Sequence, residues 1–225
     1  MFDYRKRDAR LWSNDRLREI GAAVRDCQSM INVSGWRDGD KEGGHYRDYF
    51  PSVPLYHVSN HPGDAEKGVD AKTDRGIDLD LELLPELERS YDIVFNHTVL
   101  EHVPRPAFSF EQLAKLATKV LITVVPFKQG MHFSPGNFGD YYRFSPMAMR
   151  DCFARAGMQV VHESANEGID TIYLLHVGVR DPAFIDRAVH LVQDIERFNF
   201  RLGVTRPRDI AAALYIRLFG AFLKR

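Results

Sequence analysis

The stretch Tyr91-Asp92-Ile93-Val94-Phe95-Asn96-His97-Thr98-Val99-Leu100-Glu101-His102-Val103 decides the fold. Ile93 to Phe95 is a short apolar run that reads as a buried strand, and it stops at polar Asn96 and His97. An acidic, helix-like turn follows and ends before Pro104 and Pro106. In an open parallel sheet, ligands occupy the crevice beyond the carboxyl ends of the strands, so residues just after such a strand face a ligand.

Outward from this stretch, apolar runs alternate with helical patterns. Upstream, Ser13-Asn14-Asp15 reads as the cap of an amphipathic helix to Gln28, with Leu17, Ile20, Ala23 and Val24 on one face. Ser29 to Val33 and Leu55 to Ser59 read as strands, the first ending in Ser34-Gly35 and the second in the turn signal Asn60-His61-Pro62-Gly63. Between them lie a loop, Trp36 to Gly44, and a short helix, His45 to Phe50. Gly76 to Leu81 alternates apolar and acidic residues, as in an edge-like strand. Downstream, Phe108 to Thr118 reads as a helix, and Val120 to Val125 as a strand covered on both faces. Ser145-Pro146 opens a helix to about Ala156, with Ser at the N-cap and Pro at N1. Gln159 to His162 and Thr171 to Val179 complete the strands, and Pro182 to Arg201 and Ile210 to Leu223 read as C-terminal helices. The alternation argues for a doubly wound α/β sheet.

Bulk properties exclude several function classes. The chain has 225 residues and a formal charge of −1, so no global field attracts nucleic acid, and no Lys/Arg block appears. Cys27 and Cys152 are the two cysteines, too far apart to mark a zinc motif or a disulfide framework, and each is expected as a small buried hydrophobe. The charged N-terminus lacks a signal-peptide core, and no run approaches the ~20 apolar residues of a membrane span. A cytoplasmic protein is the expectation. There is no Gly-x-Gly-x-x-Gly, no Tyr-x-x-x-Lys and no Gly-Lys-Ser/Thr, which argues against nicotinamide-dependent enzymes and P-loop proteins.

The Tyr91 to Val103 segment resembles the fourth-strand region of class I S-adenosylmethionine (SAM) dependent methyltransferases, in which a strand opening with Asp runs into Leu-Glu-His-Val. Four further points extend the likeness to the methyltransferase type 11 group over roughly residues 29–158. They are Ile31 to Gly35, Leu55 to Asn60, Asp80 before Leu84-Pro85, and Phe144-Ser145-Pro146 with the helix ending Ala154-Arg155-Ala156-Gly157-Met158. The resemblance implies a Rossmann-like, mostly parallel seven-stranded sheet with helices on both faces. It implies SAM as cofactor, lined by Ser34, Gly35, Trp36, Asn60, Asp80, Leu81, Asn96 and His97. Two departures stand out. The glycine turn is Asn32-Val33-Ser34-Gly35-Trp36, with Gly35 and Gly39 as its close-approach points, and Asn60 occupies the ribose position where the family has an acid. Asp64 is the nearest carboxylate that could compensate.

After the fifth strand, Pro126-Phe127-x3-Met131-His132-x2-Pro135-x4-Asp140-Tyr141-Tyr142-Arg143-Phe144 is too long for an ordinary connection and suits a lid over about 127–145. It resembles the same segment in bacterial methyltransferases of glycan and cell-envelope biosynthesis. His132, Tyr141, Tyr142 and Arg143 are the substrate-contact candidates on that resemblance. A hydroxyl acceptor calls for a base near neutral pH, which makes His132 the first candidate and His97 the second. Glu101-His102 reads as helix-start chemistry, and the His, Asp and Glu spacings match no metal motif, so no metal is expected.

The expected organisation is a methyltransferase-like domain at 1–180 and a helical appendage at 181–225. The last helix carries an apolar stripe of Ile210, Leu214, Leu218 and Phe222 beside Arg217 and Lys224. Docking on a partner or on the domain's own sheet is favoured, with peripheral contact at the inner face of the membrane as the rival. The leading function is methyl transfer to a small-molecule hydroxyl, of a sugar or glycan intermediate. The alternative is a non-catalytic binding or scaffold protein that has lost SAM affinity, in line with the sparse glycine turn and Asn60.

Overall fold

Asp8 starts the first helix, α1 (Ala9–Ala23), by accepting the N–H groups of Arg10 and Leu11 on its carboxylate in the computed structural model. Ser13 and Asn14, expected at the cap, lie inside the helix and are fully buried. Their polar groups reach across the fold instead, Asn14 Nδ2 donating to the Asp40 carbonyl at 2.9 Å. The structure describes residues 4–24, 26–64 and 73–180. The expected C-terminal helices and their membrane or partner face lie outside these residues. Among the described residues, no helix is long and apolar enough to cross a membrane.

Seven strands follow: β1 (Ser29–Val33), β2 (Leu55–Asn60), β3 (Arg75–Gly76), β4 (Tyr91–His97), β5 (Ala117–Lys128), β6 (Gln159–Ala165) and β7 (Ile172–Val179). Two helices, α2 (Pro106–Leu116) and α3 (Pro146–Arg155), stand between strands. Ser145 caps α3 through its hydroxyl, which accepts from Ala148 N, and Pro146 takes N1, as the sequence predicts. The segment at His45 to Phe50 forms one 3₁₀ turn, Tyr46–Tyr49. The strands make one sheet in the order β3-β2-β1-β4-β5-β7-β6, parallel except for β7, which runs antiparallel to β5 and β6.

Alternate side chains of each strand divide between two cores. Met30, Ile93, Phe95, Val120, Ile122 and Leu175 pack with Leu17 and Ile20 of α1 on one face. Ile31, Val33, Val94, Leu121 and Leu174 pack with Phe110, Leu113, Met149 and Phe153 of α2 and α3 on the other. The sheet therefore has helices on both faces, and its central strands read as near-continuous apolar runs for that reason.

The third strand is shorter than the predicted 76–81. Ile77 and Leu79 are buried, yet the ladder ends at Gly76. Asp78 explains it: its carboxylate accepts the N–H of Asp80 at 2.9 Å, a local turn that competes with strand pairing.

Candidate active site

The order reverses between β1 and β4, and a cleft of about 920 Å³ opens at their carboxyl ends. Such a switch point is where open α/β sheets bind ligands, and the volume lies in the ~300–1,000 Å³ range of small-molecule sites.

One wall is the turn after β1. Ser34, Trp36 and Asp38 all take positive φ, at 57°, 53° and 61°. Left-handed backbone costs a residue with a side chain roughly 1–2 kcal/mol, and strain of this kind clusters at functional sites. The turn thus has the backbone course that glycines normally supply. Its one glycine is needed for space, because a Cβ on Gly35 would lie 2.6 Å from the Asn32 side chain. Asn32 and Tyr56 both donate to Asp38 Oδ1 at 2.7 Å, which anchors the loop. Trp36 is 54% exposed and faces the cleft.

Asn60 does not line the cleft. Its Oδ1 accepts from Trp36 N at 2.8 Å, while its Nδ2 donates to Trp36 O and to Thr73 Oγ1, both at 3.1 Å. It is the strut of the turn, not an acceptor facing a ribose. Asp64, Asp78 and Asp80 do line the cleft, and Asp80 Oδ1 is buried without a hydrogen-bond partner. Leu81 is 61% exposed and stands off the lining; Ile77 and Leu79 supply the apolar surface there. Asn96 is fully buried and donates to Val33 O at 3.0 Å, so it ties β4 to β1 beneath the cleft.

His97 forms the floor. Arg10 Nη1 lies 2.9 Å from its Nδ1 and Ser13 Oγ 3.0 Å from its Nε2, with Tyr46 and Tyr173 packed around the ring. Burial, and then the Arg10 charge, hold its pKa well below the ordinary histidine value. A neutral imidazole engaged on both nitrogens shapes the floor and is not a free base. Arg10, with its guanidinium on Tyr46 Oη at 2.8 Å, is a cleft residue that the sequence concealed, since nothing local in α1 marks it.

The opposite wall is the lid. Glu101 lies in a 3₁₀ turn, Leu100–His102, and its backbone carbonyl accepts Tyr141 N at 2.7 Å. Tyr142 donates its hydroxyl to Pro104 O at 3.0 Å. Arg143 grips Asp140 with both terminal nitrogens, at 2.5 and 2.8 Å, and also donates to Gln129 O. These bonds hold Asp140 well below the usual carboxylate range, with Arg143 the main cause. Of the four predicted substrate residues, Tyr141 lines the cleft, whereas Tyr142 and Arg143 fasten the lid to its base. His132 sits behind His102, ring centroids 4.8 Å apart, and its Nδ1 is 3.5 Å from Asp140 Oδ2. His102 lines the cleft on this side, its Nδ1 held 2.5 Å from Gly139 O. Beside it the Glu101 carboxyl is fully buried, and burial pushes its pKa up to about 8.

No protein-family model and no curated protein matches the chain. Solved structures match it in fold. The magnesium protoporphyrin IX methyltransferase ChlM of Synechocystis PCC 6803, solved with bound S-adenosylhomocysteine (SAH), is similar over 77% of this chain and 85% of its own, at 16% identity and a TM-score of 0.54. A methyltransferase-like protein of Bacillus halodurans C-125 is similar over 75% and 99%, at 9% identity and a TM-score of 0.52. The N-terminal domain of EvdMO1, solved in the presence of SAH and D-fucose, is similar over 74% and 82%, at 15% identity and a TM-score of 0.50. The chain has the seven-stranded, Rossmann-like fold of these methyltransferases.

Proposed function

We propose that the chain is a SAM-dependent methyltransferase that acts on a hydroxyl of a sugar or glycan intermediate. The observation that carries this reading is the cleft at the β1/β4 switch point. It sets the strained Ser34-Gly35-Trp36 turn and the unpartnered Asp80 oxygen against a lid wall of His102, Gly139 and Tyr141. The residues fit the cofactor. The turn admits close backbone approach, Ile77, Leu79 and Trp36 offer apolar and aromatic surface, and Asp80 and Asp64 are acceptors for amine and hydroxyl groups. Bound there, SAM supplies an electrophilic methyl group on a sulfonium. That the N-terminal domain of EvdMO1 was solved in the presence of SAH and D-fucose supports a sugar acceptor on a scaffold of this kind.

The protein's task in such a displacement is to position the acceptor and to exclude water. Tyr141 offers an aromatic face to a sugar ring or to positive charge. Arg143, Asp140 and Tyr142 keep the lid in place over it. His102 touches the cleft, with His132 and Glu101 behind it, so this cluster acts on the acceptor's hydroxyl.

A second reading, a binding protein without catalysis, is favoured by one observation: Asn60 is fully engaged by the Trp36 backbone and Thr73, which leaves no acceptor at the ribose position of β2. Calorimetric titration with SAM and SAH separates the two. Saturable binding that Trp36→Ala weakens at least several-fold supports the enzyme; no heat at millimolar ligand sinks it. With SAM bound, His102→Ala is expected to abolish transfer to a sugar acceptor while leaving SAM affinity within about twofold.

A further inference from the structure

Glu101, His102 and His132 bring one carboxylate oxygen and two ring nitrogens within 4.8 Å of one another. Glu101 is fully buried, and neither of its oxygens has a hydrogen-bond partner. A buried, unpaired carboxylate is costly unless something cationic or protic meets it. His102 Nε2 faces it, 3.7 Å from Oε1. That nitrogen offers no proton, because the His102 proton is committed at Nδ1 to the Gly139 carbonyl at 2.5 Å. The Nε2 lone pair and the Glu101 carboxyl thus face one another across a gap with no direct bond, a space that a proton on the carboxyl or a cation in its place fills.

The support around the cluster has the same character. Metal-binding histidines usually donate the ring N–H opposite the metal to a carbonyl or a carboxylate, which fixes the tautomer. His102 does so to Gly139 O. His132 Nδ1 faces Gly130 O at 3.3 Å and Asp140 Oδ2 at 3.5 Å. Asp140 is itself pinned by Arg143 and by the His132 N–H at 2.7 Å. A Cβ on Gly139 would lie 2.4 Å from the Tyr141 ring, so a larger residue there would turn Tyr141 aside.

We propose that Glu101, His102 and His132 form a site for a divalent first-row transition ion, zinc foremost, at the edge of the cleft. Two imidazoles and a carboxylate are a donor set that zinc accepts, at ~2.0–2.2 Å per ligand, and three protein ligands leave a further position open. The ligand atoms must draw together by an ångström or more to reach that geometry. His132, on the lid and with its side chain 38% exposed, is the member placed to move. His102 lines the cleft, so the open position is the one available to an acceptor oxygen. This role rests on the methyltransferase reading. There the ion would make the acceptor's O–H more acidic: the bond breaks heterolytically, the electron pair stays on oxygen and the proton leaves to solvent. His132 then serves as a ligand, not as a free base.

The site is tested without turnover. The full chain, freed of metal with a chelator, is titrated with Co²⁺ and followed by its visible absorption, and zinc content is measured by elemental mass spectrometry after reloading. About one equivalent of each ion is expected for the wild type. His132→Ala, His102→Ala and Glu101→Gln should each weaken Co²⁺ binding tenfold or more, with His45→Ala, an exposed histidine outside the cleft lining, binding as wild type. His132→Ala replaces a half-exposed lid residue and keeps the test valid if Glu101→Gln fails to fold. Absence of saturable Co²⁺ binding at about 1 mM, or a His132→Ala protein that titrates like wild type, overturns the proposal. SAM calorimetry on the metal-free protein reports on the methyltransferase reading separately: SAM binding without metal binding overturns only the ion, and metal binding without SAM binding overturns only its role in transfer.

Discussion

Asn60 occupies the position where the resemblance calls for an acidic ribose ligand, and that alignment alone makes Asn60→Asp the obvious change to tighten SAM. The structure argues for the opposite outcome. Asp would keep the acceptor for Trp36 N but lose the donor to Trp36 O and Thr73 Oγ1, and it would set a carboxylate against a carbonyl oxygen. Leaving a buried acceptor unpaired costs about 1–3 kcal/mol. Asn60→Asp is therefore expected to lower the urea midpoint of unfolding and to leave SAM affinity unchanged or weaker. Tighter SAM binding would show that Asn60 faces the cofactor after all. The same lesson holds for Arg143: its residue type and its place in the lid read equally as substrate contact or as a bond to Asp140, and only the 2.5 Å geometry decides between them.

At the scale of the element, α1 shows how local rules and packing part company. Its apolar spacing around Leu17 and Ile20 is legible, but the cap is not, because Asp8 and Ser13 are both plausible caps by residue type. Gly21 looks like a flaw near the end of the helix, since glycine costs a helix interior about 1 kcal/mol relative to alanine. Its reason lies in the neighbouring 3₁₀ turn, where a Cβ would lie 1.9 Å from the backbone oxygen of Tyr49. Gly21→Ala should thus destabilise by about 1–3 kcal/mol despite the better propensity, which corresponds to roughly 2–12 °C in Tm. A Tm equal to or above that of the wild type would show that α1 can slide away from Tyr49. The turn after β1 makes a related point, since Ser34 and Trp36 adopt backbone angles that their residue types do not announce.

At the scale of the molecule, a polar layer that is buried at Asn14 and Asp40 and reaches the surface at Glu42 joins α1 to the loop after β1. Burial works against the Asp40 carboxylate, but the Tyr49 hydroxyl and the N–H groups of Glu42 and Gly44 outweigh it and hold the group below its ordinary pKa. Glu42 is likewise depressed against its burial, by Arg5, Asn14 and Arg18. A depressed carboxylate contributes stability above its unfolded pKa, here about 4, and loses that contribution as the pH falls through its folded value. Stability should therefore hold to about pH 5 and decline below about pH 4, with Asp40→Asn lowering the plateau and flattening the acid limb in urea unfolding measured against pH. An unchanged acid limb in that variant would remove Asp40 from the account. The extent to which such features were legible follows from their range along the chain. Apolar runs, proline and serine signals and the Asp-to-Leu-Glu-His-Val stretch are local, and over the described residues they determined by themselves the order of strands and helices, though not the extent of the third strand, together with the two-faced sheet and the position of the cleft beyond β4. Side-chain partnerships are not local. Arg10 on His97, Asn60 on Trp36, and the meeting of Glu101 and His102 with His132 and Gly139 of the lid depend on distances across the folded chain. Only the tertiary structure decided those, because burial and close packing assign each polar group its partner after the backbone has brought remote segments together.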